Sequence, residues 1–498
     1  MSAALSALLK IDLPPGLSRR GTVYQTQGRW YDSSLVRWFK GAMKPIGGWA
    51  ARITTPVTGA PRAMVSWRDN SSIRYYAVGT HSKLYAATSS LTAMVDITPV
   101  GFSAGRADAT SGGGYGVGVY GAGTYGTPRV DNVSVQDASM WTLDVFGPYL
   151  VGAMSDDGKL YKWSLDISTP TKAAVISGAP TGNSACVVTP EFFLMALGAG
   201  GDPRKVQWSD QAAETTWTPS STNQAGSYTI QSPGRLMCGK KTRGQTLIFT
   251  DTDVHVARYI GLPFVYSIER VGESCGIISR GAVVASDTRA IWMSQAGFFA
   301  WDGGAVIPLD CDIYDAIFGG LNFTQRSKIT AMLNSQFSEA WFMFPSAAST
   351  ENDKVAVYNY DENTWALHTL TRLCGVDRGV FNAPIMFNAS GYAYDHETGY
   401  TWDSTPYAKS GPFELGAGDR ITRVRRLIFD EATSGDVRVS LKAMNWPNGT
   451  ETTYGPYASG NPVSVRMSAR QVSQYVEFLR GNSQWGAPRV DIVQGSKR

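Results

Sequence analysis

The sequence predicts an all-β protein: a six- or seven-bladed β-propeller with a C-terminal antiparallel β-sandwich-like module. Its composition is turn-rich, with 53 glycines among 498 residues, and it holds 15 tryptophans and 23 tyrosines. This combination is typical of short strands joined by tight turns. Helical periodicity is nearly absent, and the best helix candidate, Ile313–Leu321, is ended by glycines. The third observation is an internal repeat.

The repeat consists of a strand, a tight polar turn and a second strand that carries aromatic residues. Equivalent positions in seven such hairpins are separated by 73, 43, 54, 44, 50 and 44 residues. A period of about 40 to 50 residues is the signature of a β-propeller, whose last blade is often completed by a strand from the other end of the repeat. A series of β-sandwiches imitates this pattern weakly. The seven positions are Val78, Val151, Leu194, Ile248, Trp292, Phe342 and Met386.

The one long gap in the repeat contains an inserted loop, predicted at about residues 101–130. Its centre, Gly112–Gly126, reads GGGYGVGVYGAGTYG. Glycine costs backbone entropy and supplies no side chain, so this run builds no core. One interpretation is a disordered linker. The other is an extended loop that packs on a neighbouring subunit through three regularly spaced tyrosines: Tyr115, Tyr120 and Tyr125.

Charge divides the chain into three parts. Residues 1–62 hold nine Lys or Arg and two Asp or Glu, residues 63–408 hold 23 and 31, and residues 409–498 hold 13 and eight. We predict a basic N-terminal segment that acts as a docking arm and closes the propeller, then an acidic propeller, then a basic β module. An acidic body repels phosphate, which suits a channel through which DNA slides. Ordinary solvated surfaces explain the same distribution.

The C-terminal module is predicted from a change of pattern near Lys409. Apolar and polar residues alternate there with a period of two, which indicates half-buried strands of a small antiparallel sandwich. The alternating arginines are expected on its polar face. The predicted strands are Arg420–Asp430, Asp436–Met444, Pro462–Ala469 and Gln474–Leu479.

The five cysteines and four histidines are scattered, and no CxxC pair is present. The odd number and long spacings predict free, buried thiols in a reducing compartment. We expect no bound metal and no other cofactor. The N-terminus lacks the basic start of a signal peptide, and no stretch approaches the roughly 18 apolar residues of a membrane helix. We therefore expect no membrane insertion.

Enzyme motifs are missing from the sequence: it has no GxxxxGK[ST], GxSxG or HExxH. A propeller glycosidase is the enzyme class that deserves weighing, because Ser155–Gly158 (SDDG) and Trp208–Asp210 (WSD) resemble fragments of sialidase turns. An Asp at the start of a turn is explained more simply by capping of the turn backbone. The tryptophans either line a glycan-binding surface or fill the gaps between blades, and we favour the core. We predict that the chain is not an enzyme.

Residues 13–49 resemble the opening of a family of phage tail proteins. The resemblance rests on Gly28–Asp32 (GRWYD), Leu35–Trp38 (LVRW) and Pro45–Trp49 (PIGGW). The family is the tail hub or nozzle protein of short-tailed bacteriophages, also described as tail tubular B-like or packaged-DNA stabilisation proteins. Further similar pieces run along the chain: Gly126–Arg129, Trp208–Asp210 with Trp217, Ile291–Ser294, Gly297–Gly303, Arg466–Arg470 and Trp485–Arg489.

The resemblance implies a structural virion protein, without catalytic residues, that forms a homohexameric ring of β-propellers below the portal and adaptor rings. Such a ring retains packaged double-stranded DNA, conducts it during ejection without sequence-specific binding, and anchors tail fibres or spikes. It implies a location in the virion tail after assembly in the host cytoplasm. We assign docking to a neighbouring ring to basic side chains of the N-terminal segment: Arg19, Arg20, Arg29, Arg37, Lys40 and Lys44.

Two alternatives stay open at this point. The chain is also compatible with a peripheral propeller of the tail that binds a receptor or glycan, which predicts clusters of exposed tryptophan on one propeller face. Less favoured is a propeller glycosidase, whose paired carboxylates would come from distant blades.

Overall fold

The computed structural model describes residues 6–110, 136–167, 171–415, 420–447 and 449–495. Nearly all regular structure in these ranges is β-strand. The predicted helix over Ile313–Leu321 is present as a shorter helix, α1 (Tyr314–Phe318), which ends at two consecutive glycines. Two short 3-10 turns cover Ala199–Gly201 and Phe323–Lys328. Within the described residues, no helix is long and apolar enough to cross a membrane.

The N-terminal part of the chain forms five strands that belong to different sheets. They are β1 (Ser6–Lys10), β2 (Trp30–Ser34), β3 (Val36–Phe39), β4 (Ala42–Pro45) and β5 (Trp49–Ala51). Strands β3 and β4 form a hairpin by themselves. The other three each add to a sheet built from a distant part of the sequence.

The first three blades are four-stranded antiparallel sheets, each formed by consecutive strands. Blade 1 contains β6 (Pro61–Arg68), β7 (Arg74–Thr80), β8 (Leu84–Thr88) and β9 (Val95–Asp96); blade 2 contains β10 (Trp141–Phe146), β11 (Tyr149–Met154), β12 (Leu160–Trp163) and β13 (Ala174–Val175); blade 3 contains β14 (Ala185–Val188), β15 (Leu194–Leu197), β16 (Lys205–Trp208) and β17 (Gly226–Thr229).

The next three blades repeat this arrangement. Blade 4 contains β18 (Leu236–Thr242), β19 (Gln245–Thr250), β20 (Val254–Gly261) and β21 (Val265–Gly272); blade 5 contains β22 (Val283–Ala285), β23 (Ala290–Met293), β24 (Phe298–Trp301) and β25 (Val306–Leu309); blade 6 contains β26 (Thr330–Asn334), β27 (Glu339–Phe344), β28 (Lys354–Asn359) and β29 (Thr364–Thr369).

Blade 7 is assembled from both ends of the propeller sequence. Three of its strands are β30 (Cys374–Val376), β31 (Ile385–Phe387) and β32 (Ala393–His396), and its fourth strand is β5. The first strand of every blade contacts the first strands of the two neighbouring blades, and β30 contacts β6. The ring of blades is therefore closed, and a β-propeller fold is confirmed.

The predicted repeat corresponds to the second strand of each blade. All seven repeat positions, from Val78 in β7 to Met386 in β31, lie in second strands and are at most 1% exposed. These strands are buried on both faces because they sit between neighbouring blades, which explains their continuous apolar runs. Thirteen of the fifteen tryptophans are buried as well, so the prediction that tryptophans mainly fill the core is confirmed.

The turn between β6 and β7 shows why polar residues recur at the hairpin ends. The carboxylate of Asp69 accepts hydrogen bonds from the backbone N–H groups of Ser71 and Ile73, at 2.9 and 2.8 Å. Asp at this position satisfies donors that the two strands leave unpaired, which is the physical reason for its preference in turns. Ser72 takes a positive φ of 64° within the same turn.

The C-terminal module is a sandwich of two sheets, and its four predicted strands are confirmed. Its strands are β33 (Tyr407–Ser410), β34 (Phe413–Glu414), β35 (Thr422–Ile428), β36 (Val437–Met444), β37 (Thr452–Ala458), β38 (Val463–Ala469), β39 (Gln471–Phe478) and β40 (Arg489–Gln494). One sheet has the order β1-β40-β35-β38, and the other has the order β2-β33-β39-β36-β37 with β34 beside β39.

The N-terminal segment ties the sandwich to the propeller. Strands β1 and β2 complete the two sandwich sheets, while β5 completes blade 7. Between them, the segment runs along the outer strand of blade 6: the N–H of Leu17 donates to the carbonyl of Trp365, at 2.8 Å. The predicted segment 1–62 thus belongs to both bodies, and a single hydrophobic core joins blades 4 to 6 with the sandwich.

A buried ionic cluster lies at this junction. The guanidinium of Arg37, on β3, makes a two-pronged contact with the carboxylate of Glu339, at 2.9 and 3.0 Å, and also contacts Glu397. All three side chains are less than 10% exposed. Burial, followed by the charge of Glu397, raises the pKa of Glu339 against the opposing effect of Arg37. The cluster clamps the β3–β4 hairpin onto blades 6 and 7.

His368 makes the junction sensitive to acid. Its Nδ1 accepts a hydrogen bond from the N–H of Leu35, and burial, together with the charge of Arg37, lowers its pKa to about 3. Below pH 6.5, a histidine with an ordinary pKa is protonated in the unfolded chain, whereas His368 stays neutral in the folded chain. The free energy of unfolding therefore falls as the pH drops below 6.5. The loss reaches at most about 1.4 kcal/mol per pH unit for each such group.

We expect His368→Asn to flatten this acid dependence, because the amide oxygen keeps an acceptor for Leu35 and does not titrate. The measurement is the urea midpoint between pH 6.5 and pH 4.5 for wild type and variant. Because the pKa values of His255 and His396 are also lowered by burial, some slope remains. A variant with the full wild-type slope would show that His368 does not titrate on unfolding.

Candidate functional site

The central channel of the propeller is lined by the first strands of all seven blades. It encloses about 600 Å³. Its wall includes three of the cysteines, Cys186, Cys238 and Cys374. All five cysteines are free and buried, as predicted, and burial raises the pKa of each thiol, for example to about 11 for Cys238. No group of His, Cys, Asp and Glu suited to a metal occurs in the described ranges.

The channel is too narrow for a DNA duplex. On blade 1 its lining runs from Arg62 to Ser66, which corresponds to a length of about 15 Å at the rise of a β-strand. The enclosed volume is the space open to the centres of water molecules, and over that length it corresponds to a mean width of about 7 Å. Adding a water radius of about 1.4 Å on each side gives about 10 Å between the channel walls. The major groove of B-DNA alone is about 12 Å wide. A duplex therefore does not pass through a single propeller, and a conduit for it requires several copies.

One mouth of the channel is crossed by the base of the insertion between blades 1 and 2. We call residues 106–110 and 136–139 the insertion stem. Its two halves meet in an antiparallel bridge between Thr110 and Gln136. The amide of Gln325 exchanges two hydrogen bonds with the backbone of Ala109, at 2.9 and 3.0 Å, and the hydroxyl of Ser327 accepts one from the N–H of Ala138. The stem is thereby anchored to the loop before blade 6.

Ion pairs fix the stem to further blades. Asp137 pairs with Arg235 of blade 4 at 2.7 Å, and Arg106 pairs with Asp156 of blade 2 at 2.8 Å. Lys328, fully buried, contacts Asp108 of the stem. These partners lie on loops that precede a first strand or join a second strand to a third, and such loops share one face of an antiparallel propeller. The stem is therefore held rigidly across that face.

Two arginines, of which Arg62 is buried and Arg280 half-buried, complete this mouth. Arg62 contacts Glu351 at 2.6 and 2.7 Å and donates to the carbonyl of Ala107. Burial acts to raise the pKa of Glu351, but its hydrogen bond with Arg62 and the nearby positive charges lower it overall. Arg280 donates to the carbonyl of Met237, and burial, then the charge of Arg235, lowers its pKa to about 10. Sequence reasoning missed this cluster because its members are far apart in the chain.

The tyrosines predicted for subunit contact, Tyr115, Tyr120 and Tyr125, lie outside the described residues. The run Gly112–Gly126 lies outside them as well. What the structure does place is the pair of attachment points, Thr110 and Gln136, which are adjacent.

Three of the predicted docking residues are arginines of the N-terminal segment that form ion pairs with aspartates. Arg19 pairs with Asp32, while Arg20 and Arg29 both contact Asp312, at 2.7 and 3.3 Å. The side chain of Arg20 is 55% exposed. These side chains reach solvent, although their charges are partly neutralised within the chain.

Arg37 corrects the sequence-based assignment. Its side chain is 4% exposed and is fully engaged by Glu339 and Glu397, so it belongs to the junction and not to a docking surface. An arginine in a strand of alternating pattern looks like a surface residue in the sequence, because its carboxylate partners lie about 300 residues away. The backbone N–H of Lys40 donates to Glu362, and Lys44 is half-buried on β4.

The aspartates that resemble sialidase turns have structural partners. Asp210 accepts the backbone N–H groups of Gln211 and Gln224, both at 2.9 Å, which is the predicted turn capping. Asp156 instead pairs with the insertion stem, and Asp157 accepts the hydroxyl of Tyr161. Since each carboxylate is engaged by its own surroundings, these turns give no positive support to a hydrolase.

Blade 4 carries an exposed apolar hairpin that was not predicted from the sequence. Strands β20 and β21 are eight residues each, and their turn carries Leu262 and Phe264, which are 69% and 74% exposed. Ile260, beside them, is 55% exposed. Contiguous exposed apolar residues are a feature of contact sites, whereas single scattered ones are normal on a protein surface. Its signal in the sequence was the run YIGLPF, which reads equally well as a buried strand.

The fold and these sites define a β-propeller protein with a fused β-sandwich. No protein-family model and no curated protein matches the sequence. Similar solved structures include PorZ, a surface component of the type-IX secretion system of Porphyromonas gingivalis (8% identity, TM-score 0.35, covering 82% of this chain and 46% of that chain). Another is the Pan2 WD40 domain of Neurospora crassa (8% identity, TM-score 0.39, covering 70% and 94%). The chain thus spans about half the length of PorZ.

Proposed function

We propose that the chain is a structural virion protein, the tail nozzle or hub of a short-tailed bacteriophage. In this proposal it forms a homo-oligomeric ring, a hexamer, below the portal and adaptor proteins. The ring retains packaged DNA, conducts it during ejection, and anchors tail fibres or spikes. The sequence resemblance gives the role, and the chain is proposed to have no catalytic activity.

The observation that carries the proposal is the interlocking of propeller and sandwich. Residues 6–51 supply strands to both sandwich sheets and to blade 7, so neither body can separate from the other without breaking strand pairing. Most domains in one chain are joined by exposed linkers and move relative to each other. A part that holds DNA under pressure has to transmit force without such motion. The buried contacts of Arg37 and the shared core provide this rigidity.

The path of the DNA in this proposal runs between copies of the chain. The channel of one propeller is only wide enough for small groups, as argued above, and its mouth is crossed by the insertion stem. A ring of copies encloses a larger lumen, and an acidic propeller wall keeps the phosphates from binding tightly.

The glycan-binding alternative loses its main support. It requires clusters of exposed tryptophan on one propeller face, whereas among the described residues Trp446 is the one tryptophan that is more than half exposed. Trp446 lies next to β36 of the sandwich and stacks on Arg470.

Electron microscopy of purified virions, with an antibody to the chain, tests the proposal. We expect the label on the tail axis directly below the portal, and an averaged map with a closed ring of the chain. Labels confined to the tail periphery would contradict the nozzle role, and absence from the particle would contradict a virion protein altogether.

Replacing residues 111–135 by a short Gly-Ser linker tests the predicted role of the insertion in subunit contact. Because Thr110 and Gln136 already pair, the linker closes without disturbing the propeller. We expect wild-type thermal stability and a reduced fraction of rings, measured by mass photometry. Normal ring formation by this variant would contradict a contact made by the tyrosine-containing run.

A further inference from the structure

The outer face of the four-stranded sandwich sheet is strongly basic. The sheet consists of β1, β40, β35 and β38, in that order. These four strands contain a single acidic residue, Asp491, against six cations. The cations are Lys10, Arg423, Arg425, Arg426, Arg466 and Arg489, and all six are exposed.

The strand pattern places Arg423, Arg426 and Arg466 on one side of the sheet, and a β-bulge between Val424 and Arg426 leaves Arg425 exposed beside them. On β38, Val465 and Met467 are buried against the other sheet, so Arg466 and the flanking serines point outward. Register then aligns the neighbouring strand: Arg423 lies opposite Ser468, and Arg426 lies opposite Ser464. Adjacent strands are about 4.8 Å apart, so the guanidinium groups are close neighbours.

Most of this charge is not neutralised within the chain. Arg426 pairs with Asp491 at 3.0 Å, and Lys10 pairs with Asp12 at 2.6 Å. No carboxylate contacts the other four cations in the described part of the chain: Arg423, Arg425, Arg466 and Arg489. Like charges on adjacent strands destabilise a sheet. The folded chain therefore carries an unfavourable concentration of charge that an anionic partner would relieve.

The chemistry of the face indicates what the partner is. The face is a flat sheet and not a pocket, which suits an extended ligand. Five of the six cations are arginine, whose planar fork binds phosphate oxygens in pairs, and the hydroxyls of Ser464 and Ser468 are further donors of the kind that contact phosphates. The four strands carry no aromatic residue, so they offer no stacking platform for single-stranded bases.

We propose that this face binds the phosphate backbone of double-stranded DNA without reading its sequence. The binding surface follows from the charges and register above, whereas the choice of DNA among duplexes rests on the proposed function. In this proposal the basic sandwich face retains the DNA, and the acidic propeller lets the DNA slide.

Fluorescence anisotropy with the purified chain and a labelled 30-base-pair duplex tests the inference. Each phosphate contact contributes about −0.9 to the slope of log K against log salt concentration. We expect a wild-type slope of about −4, from the four unneutralised arginines. The variant Arg423→Ser/Arg425→Ser/Arg466→Ser is expected to lose about 2.7 of this slope and to bind at least tenfold more weakly near 100 mM salt.

The matched control removes the same charge elsewhere. Arg68, Arg204 and Arg243 are exposed on the propeller, and their triple serine variant is expected to keep the wild-type slope. Equal losses in both variants, or no duplex binding by wild type, would overturn the inference. So would binding of poly-glutamate without competition by duplex, since that indicates an acidic protein partner. The assay needs no ring, so its outcome is independent of the virion test of the proposed function.

Discussion

Arg37→Leu is expected to destabilise the chain by about 3 to 5 kcal/mol, the cost of leaving buried carboxylates without their counter-charge. Arg37 contacts Glu339 and Glu397 and also lies over the ring of Phe337, 3.6 Å from its centroid. The variant has a smaller, uncharged side chain, and it leaves two carboxylates without a counter-charge in an apolar junction. The measurement is the urea midpoint for loss of tertiary structure, detected by tryptophan fluorescence.

The loss of stability caused by Arg37→Leu should become smaller as the pH falls. Burial already raises the pKa of Glu339, and without Arg37 the pKa of Glu397 is expected to rise as well. The folded variant then binds more protons than the unfolded chain, so its stability relative to wild type increases as the pH falls towards the ordinary range of glutamate. Adding Glu339→Gln and Glu397→Gln to the same variant is expected to recover part of the loss at neutral pH.

The matched control is Arg258→Leu, which breaks a solvent-exposed contact with Glu269 at 3.7 Å. An exposed pair of this kind contributes at most about 1 kcal/mol. If Arg37→Leu changed stability no more than Arg258→Leu, the cluster would not be the clamp of the junction.

The propeller was predictable from the sequence because its second strands repeat at a regular interval and are buried on both faces. Positions such as Leu194 and Phe342 are fully buried between blades, so each must be apolar, and the interval between them is imposed by the length of a blade. The C-terminal strands were predictable for a similar reason. Val465 and Met467 alternate with exposed residues, which is the period of a half-buried sheet.

Pairings between distant segments were not predictable in the same way. Nothing in the sequence around β1 specifies that it pairs with β40, nearly 500 residues away, because backbone hydrogen bonds carry no residue code. The contacts of the insertion stem with Gln325 and Lys328 have the same origin. Arg37 shows the consequence for functional assignment. Its carboxylate partners cannot be recognised in the sequence, so this buried residue was predicted to be a docking residue.

Leu262→Ser/Phe264→Ser is expected to weaken assembly of the proposed ring. The association constant of each subunit contact is expected to fall about thirtyfold or more. Burying a Leu or Phe side chain contributes about 1.5 to 3 kcal/mol, and both are now largely exposed at the tip of the β20–β21 hairpin. Sedimentation velocity over a range of concentrations measures the shift from ring to monomer. Thermal stability should stay at the wild-type level, because neither side chain fills the core.

The charges beside the tip favour a protein neighbour over a lipid surface. The nearest charged residues of the hairpin, Arg258 and Glu269, neutralise each other, whereas segments that lie on anionic membranes are rich in Lys and Arg. A hairpin on one side of the propeller that inserts into a different surface of the next copy makes a head-to-tail contact. Contacts of this kind form a ring when the rotation between successive copies closes. Trp446→Ser, which removes an aromatic residue of the sandwich that is 60% exposed, is the control and should leave assembly unchanged. If both variants assembled like wild type, the hairpin would not lie between subunits, and the ring would have to be held by other surfaces of the chain.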